Sequence, residues 1–312
     1  MKDIGIVLVT YNCSSYILDC LKSLIINNSE NIGNVIVVDN DSEDDTVEIV
    51  EKNFPMIKVI KNSSNVGYAK AVNIGMNEII EKYCLIANPD TIFKLDSLNI
   101  LRQIIESDDT IAAAGGQQIN DDDSWQRSYG NFPGIKDAIY NLFFITSLIN
   151  LFERIKLKYF DNKKIKFVNY LDGGAILVRN SAFRDVDGFN EDYFFYAEEA
   201  DFAFRLKQKN WKLVFEPGAK IFHTRGGSSS KISDKRDYFQ NLLVKSKLLF
   251  VKLNCPNTNL KFFAILEWTH NIKMYLILRS LSFIFFNRNF SSKASTFRSS
   301  SKIWLDKIST LK

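Results

Sequence analysis

Tyr83-Cys84-Leu85-Ile86-Ala87-Asn88-Pro89-Asp90-Thr91 is the stretch on which the rest of the chain is read. The apolar run Tyr83–Ala87 has the length of a buried strand. It stops at Asn88-Pro89, where proline removes a backbone donor and fixes φ. Asp90 is thereby held just past a strand's end. In open α/β sheets that rim is where ligands bind, and a carboxylate there can reach a metal ion riding on phosphates. Taken alone, Asn, Pro and Asp read first as a turn. The segments on either side decide between the two.

Upstream, strand and helix alternate. Ile4–Thr10 reads as a buried strand, Ser14 and Ser15 can cap a helix carrying Ile17, Leu21, Leu24 and Ile25, and Val35–Val38 is a second strand ended by Asp39-Asn40-Asp41-Ser42. Asp44 or Asp45 caps the next helix, Pro55 precedes a third strand, Ile57–Ile60, and a helix with Ala69, Val72, Ile74, Met76 and Ile80 follows the polar loop Asn62–Gly67. This rhythm predicts right-handed crossovers and a mostly parallel sheet. It puts Thr10–Asn12, Asp39–Asp41 and Asn88–Asp90 along one carboxyl edge.

Downstream, a helix near Leu95–Ile105 and a short strand Ile111–Ala114 give way to a looser pattern. Asp121–Asp123 and Trp125–Ser128 read as a surface loop, and Ile135–Ile155 as one helical stretch that covers the core or meets an acceptor. Order returns with Phe167–Leu171, Asp172-Gly173-Gly174 and the strand Ala175–Arg179. The acidic cluster Glu198-Glu199-Ala200-Asp201 opens a helix, and strands Lys212–Phe215 and Ile221–His223 lead to a flexible loop, Thr224–Ser230, whose Gly/Ser part Gly226–Ser230 reads as a mobile lid. A domain boundary is placed near residue 235, which gives a domain over 1–235 and a helical, basic and aromatic extension over 236–312.

Composition narrows the class. The four cysteines lack Cys-x-x-Cys spacing, which argues against a zinc site or a disulfide framework and fits a reducing cytosol. The first residues show no basic leader or cleavage pattern. The net charge of +4 conceals an asymmetry: residues 240–312 carry twelve Lys/Arg against two acidic side chains, about +10, which leaves about −6 for residues 1–239. Nothing points to nucleic acid as a partner. With no Gly-x-Gly-x-x-Gly after a strand and no P-loop, a dinucleotide-dependent oxidoreductase is excluded.

Seven motifs stand in order: Val9-Thr10-Tyr11-Asn12, Val38-Asp39-Asn40-Asp41-Ser42, Asn65-Val66-Gly67-Tyr68-Ala69 with Asn73 and Gly75, Asn88-Pro89-Asp90, Asp172-Gly173-Gly174-Ala175, Glu198-Glu199-Ala200-Asp201 with Arg205, and His223 with Gly226-Gly227-Ser228. Together they resemble family 2 glycosyltransferases over roughly residues 3–250, and more narrowly the bacterial rhamnosyltransferase-like branch. The resemblance implies a single Rossmann-like nucleotide-binding domain of the glycosyltransferase A type. It assigns Thr10, Tyr11, Asn12, Asp39, Asp41, Asn65, Gly67, Asn73, Asn88 and Arg225 to the donor, with Asp39 accepting from a pyrimidine N–H. Asp90 and His223 go to a divalent metal, Mn²⁺ or Mg²⁺. Asn88 stands where most relatives have the first Asp of Asp-x-Asp, and its neutral oxygen makes a weaker ligand.

An inverting transfer needs a carboxylate to take the acceptor's proton. The resemblance puts that base at Glu199, where relatives usually have Asp, with Glu198 the neighbouring candidate. Helical geometry agrees: Glu198, Asp201 and Arg205 share one stripe and Glu199 faces elsewhere. The implied substrates are a nucleoside diphosphate sugar, dTDP-L-rhamnose first and a UDP-hexose or UDP-galactofuranose second, and a lipid-linked or polysaccharide acceptor in bacterial surface glycan synthesis. A sugar nucleotidyltransferase and a non-catalytic nucleotide- or glycan-binding protein are the rival classes. The basic, aromatic tail is assigned to an anionic membrane surface, at the inner face of the plasma membrane, or to packing within the chain or a homodimer.

Overall fold

The computed structural model describes residues 2–28, 30–120, 122–159, 164–224, 236–285 and 288–311. The chain divides into two compact units. One comprises Met1–Asn131, Leu157–Phe194 and Glu198–Lys231, and the other Phe132–Lys156, Phe195–Ala197 and Ile232–Lys312. A single cut near residue 235 therefore misses a feature. The stretch around Ile135–Ile155 groups with the C-terminal helices and not with the sheet.

The first unit begins β1 (Ile4–Thr10), α1 (Ile17–Asn28), β2 (Ile32–Asp39), α2 (Thr46–Asn53), β3 (Lys58–Lys61), α3 (Tyr68–Met76) and β4 (Tyr83–Ala87). The alternation read from the sequence holds throughout, with two differences. Asp44, and not the N-cap residue Asp45, supplies the side-chain bond that starts α2, accepting from Thr46 N at 3.1 Å. Helix α3 stops at Met76, and Ile80 lies beyond it, 85 % exposed. A short strand β5 (Thr91–Phe93) follows β4 directly, and α4 (Ser97–Glu106) leads to β6 (Ile111–Ile119). Strand β6 runs well past Ala114 because Gly115–Gln118, polar and glycine-rich, is still paired to a neighbouring strand.

Beyond β7 (Tyr129–Gly130), the helices α5 (Ile135–Leu142) and α6 (Ile145–Tyr159) replace the single helix expected there. Then come β8 (Lys166–Phe167), β9 (Tyr170–Leu171), β10 (Ala175–Arg179), α7 (Asn180–Asp185), α8 (Glu198–Gln208) and the long bulged β11 (Lys212–His223), followed by α9 (Arg236–Asn254), α10 (Leu260–Phe285) and α11 (Arg288–Thr310). The sheet order is β3-β2-β1-β4-β10-β6-β11-β5, with β8 on β11. Parallel pairing covers most of the aligned residues, through β3-β2-β1-β4 and β6-β11, while β10, β5 and β8 pair antiparallel. A parallel strand pair needs a crossover, which accounts for a helix between each of the first four strands.

One face of the sheet buries Ile4, Ile6, Leu8, Tyr83, Leu85 and Leu177 against Leu21 and Leu24 of α1 and Leu98, Leu101 and Ile105 of α4. On α3, Gly75 is required by packing, since a Cβ there would come within 2.6 Å of a Val7 methyl. In the second unit, Phe263 of α10 meets Trp304 of α11 edge to face at 5.8 Å, and Lys247 of α9 bonds both oxygens of buried Glu267 at 3.0 Å. The apolar residues of the tail are thus divided, some packed between helices and others exposed.

Arg179 ties the centre of the sheet to the end of α4. Its guanidinium, 6 % exposed, donates to the carbonyls of Ile111 at 3.0 Å and Ile105 at 2.6 Å. Truncation to Ala leaves a cavity and two buried acceptors without donors. Arg179→Ala is expected to lower unfolding free energy by about 3 kcal/mol in urea titration.

Candidate active site

Register delivers the polar strand ends to one edge. Thr10 pairs with Asp39, and Leu8 with Ala87, so β1, β2 and β4 finish together. β10 runs the other way with Ala175 opposite Ala87, which sets Asp172-Gly173-Gly174 beside Asn88; the Asn88 N–H donates to the Gly174 carbonyl at 2.9 Å. His223, last in β11, is registered with Thr91 at the start of β5.

At the β1–β2 side the Asp39 carboxylate, 3 % exposed, accepts from Thr10 Oγ1 at 2.7 Å, from Ser42 Oγ at 2.6 Å and from Ser42 N at 2.9 Å. Three bonds leave one lone pair of an ionised carboxylate, on Oδ2, for a ligand donor. Asn12 and Asp41 adopt left-handed backbone, at φ 52° and 68°, which Asn and Asp tolerate best among side-chain-bearing residues. Asn12 then accepts from Glu43 N and its own N–H reaches Ser42 Oγ, while Tyr11 and Asp41 stand at the open rim. Asn65 Oδ1 accepts from Gly67 N at 3.0 Å and shapes the turn into α3. Gly67 itself, at φ 87°, could not carry a Cβ, which would lie 2.7 Å from the Phe194 carbonyl.

Asn73 corrects the sequence reading. Its amide accepts from Phe189 N at 2.9 Å and donates to Phe189 O at 2.8 Å and Glu191 Oε1 at 3.1 Å, so it staples the loop at Gly188-Phe189 with both N–H groups and one oxygen lone pair engaged. Arg225 and the rest of the Gly/Ser loop lie outside the described residues.

At the β4–β11 side, His223 Nε2 lies 3.4 Å from Asp90 Oδ1, both side chains nearly buried, and Thr224 N donates to the Asp90 carbonyl at 3.0 Å. Gln118 Oε1 is 2.8 Å from His223 Nδ1, and Gln118 Nε2 donates to the Asp172 carbonyl at 3.0 Å. The amide is thereby oriented with its oxygen toward the ring. This network has His223 Nδ1 donating to the Gln118 oxygen and turns Nε2 toward Asp90. Gln126 Nε2 adds a bond to the His223 carbonyl at 2.6 Å, and Ser128 Oγ accepts from Gln118 N at 2.8 Å. Gln126 and Ser128 are 6 % and 2 % exposed, so these two side chains form an inner wall of the site, while Asp122, Asp123 and Arg127 of the segment read as a surface loop are exposed. Gln118, Gln126 and Ser128 were missed because isolated polar side chains beyond an apolar run look like its end.

The acidic helix α8 completes the site. Asp201 is structural: its carboxylate accepts from Arg205 Nε at 2.7 Å and from Tyr193 Oη at 3.3 Å. Glu198 is 2 % exposed and its Oε2 has no hydrogen-bond partner. Burial, and then the charge of Glu199, hold its carboxyl well above the usual range. Glu199 turns instead toward Asp172-Gly173, where a Cβ on Gly173 would lie 1.7 Å from Glu199 Oε1. Burial first, and Asp172 after it, push its carboxyl up to about 7. Tyr196 and Ala197, just before the helix, both have positive φ (73° and 65°), a costly backbone of the kind found where a side chain must be aimed.

The stapling role of Asn73 is separable from ligand binding. Asn73→Ala should lower stability by about 2 kcal/mol, the cost of two buried backbone groups losing their partners, while the folded fraction binds nucleoside diphosphate as the wild type does. Chemical denaturation and calorimetry measure the two quantities separately.

Residues 5–186 match the family described as Glycosyl transferase family 2. The chain is 25 % identical over 291 residues to an N-acetylglucosaminyl-diphospho-decaprenol L-rhamnosyltransferase of Mycobacterium tuberculosis, covering 88 % of this chain and 91 % of the relative. It is 28 % identical over 133 residues to glycosyltransferase GlyG of Streptococcus pneumoniae, covering 41 % and 42 %. Among solved structures, the mannosyltransferase PcManGT of Pyrobaculum calidifontis, in complex with GDP-Man and Mn²⁺, superposes with a TM-score of 0.61 at 12 % identity over 98 % of this chain and 86 % of that one. GalNAc-T7 with UDP, GalNAc and Mn²⁺ gives 0.54 at 13 % identity over 70 % of this chain, which spans 42 % of that protein. With the family pattern spanning more than half of its length and the glycosyltransferase A fold beneath it, the chain belongs to glycosyl transferase family 2 and is a glycosyltransferase.

Proposed function

We propose that this enzyme moves L-rhamnose, with inversion, from dTDP-L-rhamnose to a lipid-linked or polysaccharide acceptor in bacterial surface glycan synthesis, with Glu199 as the base. The observation that carries the reading is the position of Glu199. A carboxyl pressed against Gly173 and pushed up to about 7 is a stronger base than an ordinary carboxylate and is about half ionised at neutral pH. The mycobacterial rhamnosyltransferase supports the choice of sugar, because it aligns over most of both chains.

In the reaction, the acceptor oxygen attacks the anomeric carbon as Glu199 removes its proton. The new C–O bond forms while the bond to the diphosphate breaks, and the electron pair leaves on the diphosphate oxygen. Asp39, with one lone pair left, receives the base N–H, and Asn65 and Gly67 shape the neighbouring wall. Glu198, buried beside it, is raised well above the usual carboxylate range, which disfavours a second negative charge next to Glu199.

The donor set fits a divalent cation shared with the substrate. Among the described residues no group of three or more His, Cys, Asp or Glu side chains is arranged to hold a metal. Asp90 and the lone pair of His223, 3.4 Å apart, supply two protein ligands, with the neutral amide of Asn88 nearby in sequence. These residues would hold a divalent ion only in part, and the imidazole nitrogen would favour Mn²⁺ over Mg²⁺. Such an ion, when bound, neutralises charge developing on the diphosphate.

Three outcomes test this reading. Asp90→Ala should abolish metal-dependent binding of dTDP in calorimetry, and Asn88→Ala should weaken it less; equal affinity in Asp90→Ala and wild type overturns the ligand assignment. With Mn²⁺ present, dTDP at one hundred times its Kd should stabilise the fold by about 2.7 kcal/mol. A preference for UDP would move the assignment to a UDP-hexose or UDP-galactofuranose.

Glu199→Gln should lower turnover about 10²–10⁴-fold with donor affinity retained. The raised acid has a definite sign in stability. A carboxyl raised from 4.5 to about 7 binds more protons folded than unfolded, so stability is full below 4.5 and falls as pH rises through 7. Wild-type turnover should therefore rise through pH 7 as Glu199 ionises, while Glu199→Gln gains thermal stability relative to wild type above pH 7. A variant that loses turnover with no gain in stability at high pH would show that the carboxyl is not held in the raised state.

A further inference from the structure

Helix α6 is amphipathic in the reverse sense. At about 100° per residue, Leu148, Ile149, Leu151, Phe152 and Ile155 fall in one stripe about 160° wide. That stripe faces outward: the five side chains are 53, 46, 50, 61 and 39 % exposed. The polar residues Thr146, Asn150 and Glu153 lie on the opposite side and are the ones partly buried, with Thr146 Oγ1 shut off from solvent without a hydrogen-bond partner. A helix folded against a protein core in water has the opposite arrangement.

The turn into α6 carries the same signature. Helices α5 and α6 meet at an 80° bend, and Phe143 and Phe144 at the bend are 66 % and 36 % exposed. Lys273 of α10 holds the bend from within the same unit: its ammonium bonds the Leu142 carbonyl at the end of α5 and lies 3.8 Å from the Phe144 ring centroid. The exposed aromatic tip is therefore a fixed part of the structure. Among the described residues no single helix is long and apolar enough to cross a membrane, and the bent pair reaches that composition only when both members are taken together. An apolar stripe that faces outward on a bent pair, with the polar side the less exposed one, is suited to lying in a lipid interface and not to spanning it.

Charge selects the kind of surface. Lys252, Lys261, Arg279, Lys293 and Lys302 of the same unit are exposed, and residues 240–312 carry about +10. A second copy apposed through the same unit brings the same charge and is repelled, whereas an anionic bilayer is attracted. We infer that the outward face of α6, with the Phe143-Phe144 bend, is a membrane insert that seats this enzyme on an anionic lipid surface. The inference stands on that face and that charge, and holds whichever sugar the enzyme transfers.

Flotation of the full-length chain with vesicles of equimolar phosphatidylglycerol and phosphatidylcholine tests it, with circular dichroism melts checking that each variant folds. The wild type should float at low salt. Leu148→Glu with Phe152→Glu should reduce partitioning about 100-fold, about tenfold for each apolar side chain withdrawn. Lys293→Gln with Lys302→Gln should reduce it about fivefold per charge, an effect that added salt reproduces. Phe152→Trp should gain fluorescence that brominated acyl chains quench, above the background of the native tryptophans. Failure of the wild type to float, or a folded Leu148→Glu, Phe152→Glu protein that partitions like wild type, overturns the insert. So does a wild-type dimer that these two substitutions dissociate while vesicle binding is unchanged.

Discussion

The bond from Thr10 to Asp39 is the constraint on which the crevice depends. It joins the last residues of two parallel strands that are already in register, so the ladder and the side-chain bond fix the same atoms. Asp39 sits where water is excluded, and a buried carboxylate is tolerable only when its lone pairs are occupied. Thr10 and Ser42 occupy three of them and thereby orient the fourth. The Asn40 side chain extends the lattice to the Gly67 carbonyl at 3.2 Å, and Asn62 extends it to Asn40 at 2.8 Å. A pocket built this way is rigid before any ligand arrives, which lowers the ordering cost of binding.

The other half of the crevice follows a different rule, because its carboxyls are left underpartnered. Asp201 has Arg205 and Tyr193, and so serves the helix. Among the described residues no cation is paired with Glu198 or Glu199, and burial shifts both upward. Environment thus separates three acidic side chains on one helix into a structural anchor, a buried carboxyl held well above its usual range and a group that titrates near neutrality. The glycines opposite are part of the same design. Gly173 leaves space for the Glu199 carboxylate and Gly174 for the His223 ring, so two consecutive missing Cβ atoms let an acid and an imidazole approach one strand end.

Much of this was legible in the sequence. Apolar runs of strand length, each ended by a polar cluster, located β1, β2 and β4 and the edge they share, because a strand buried on both faces announces itself by composition. Helical spacing separated Glu199 from the Asp201–Arg205 pair. The errors arose where a residue's partner lies far along the chain. Asn73 looked like a ligand contact, but the backbone that occupies it is at Phe189, and no local pattern reports that pairing. Gln118, Gln126 and Ser128 were passed over for the same reason, since they are polar residues whose burial comes from strand β11 and the Asp172 loop. The extended β6 was cut short because Gly115–Gln118 has the composition of a loop and becomes a strand only through its pairing with β11.

The same argument explains why a single helix was read over residues 135–155. Apolar content there is nearly continuous, and composition alone does not distinguish a straight helix from two short ones. The break falls at Phe143-Phe144, where Phe144 takes a left-handed conformation at φ 60°. That geometry is expensive for an aromatic residue with no glycine-like freedom. It is maintained by a contact made more than a hundred residues away in sequence, the bond from Lys273 to the Leu142 carbonyl and the approach of its ammonium to the Phe144 ring. Lys273 loses hydration to make this contact, and burial lowers its pKa accordingly. A cation held at some desolvation cost, a strained aromatic and an outward apolar stripe all act at the same bend. Their common consequence is to keep apolar side chains out of the protein's own interior, where the hydrophobic effect in water would otherwise draw them.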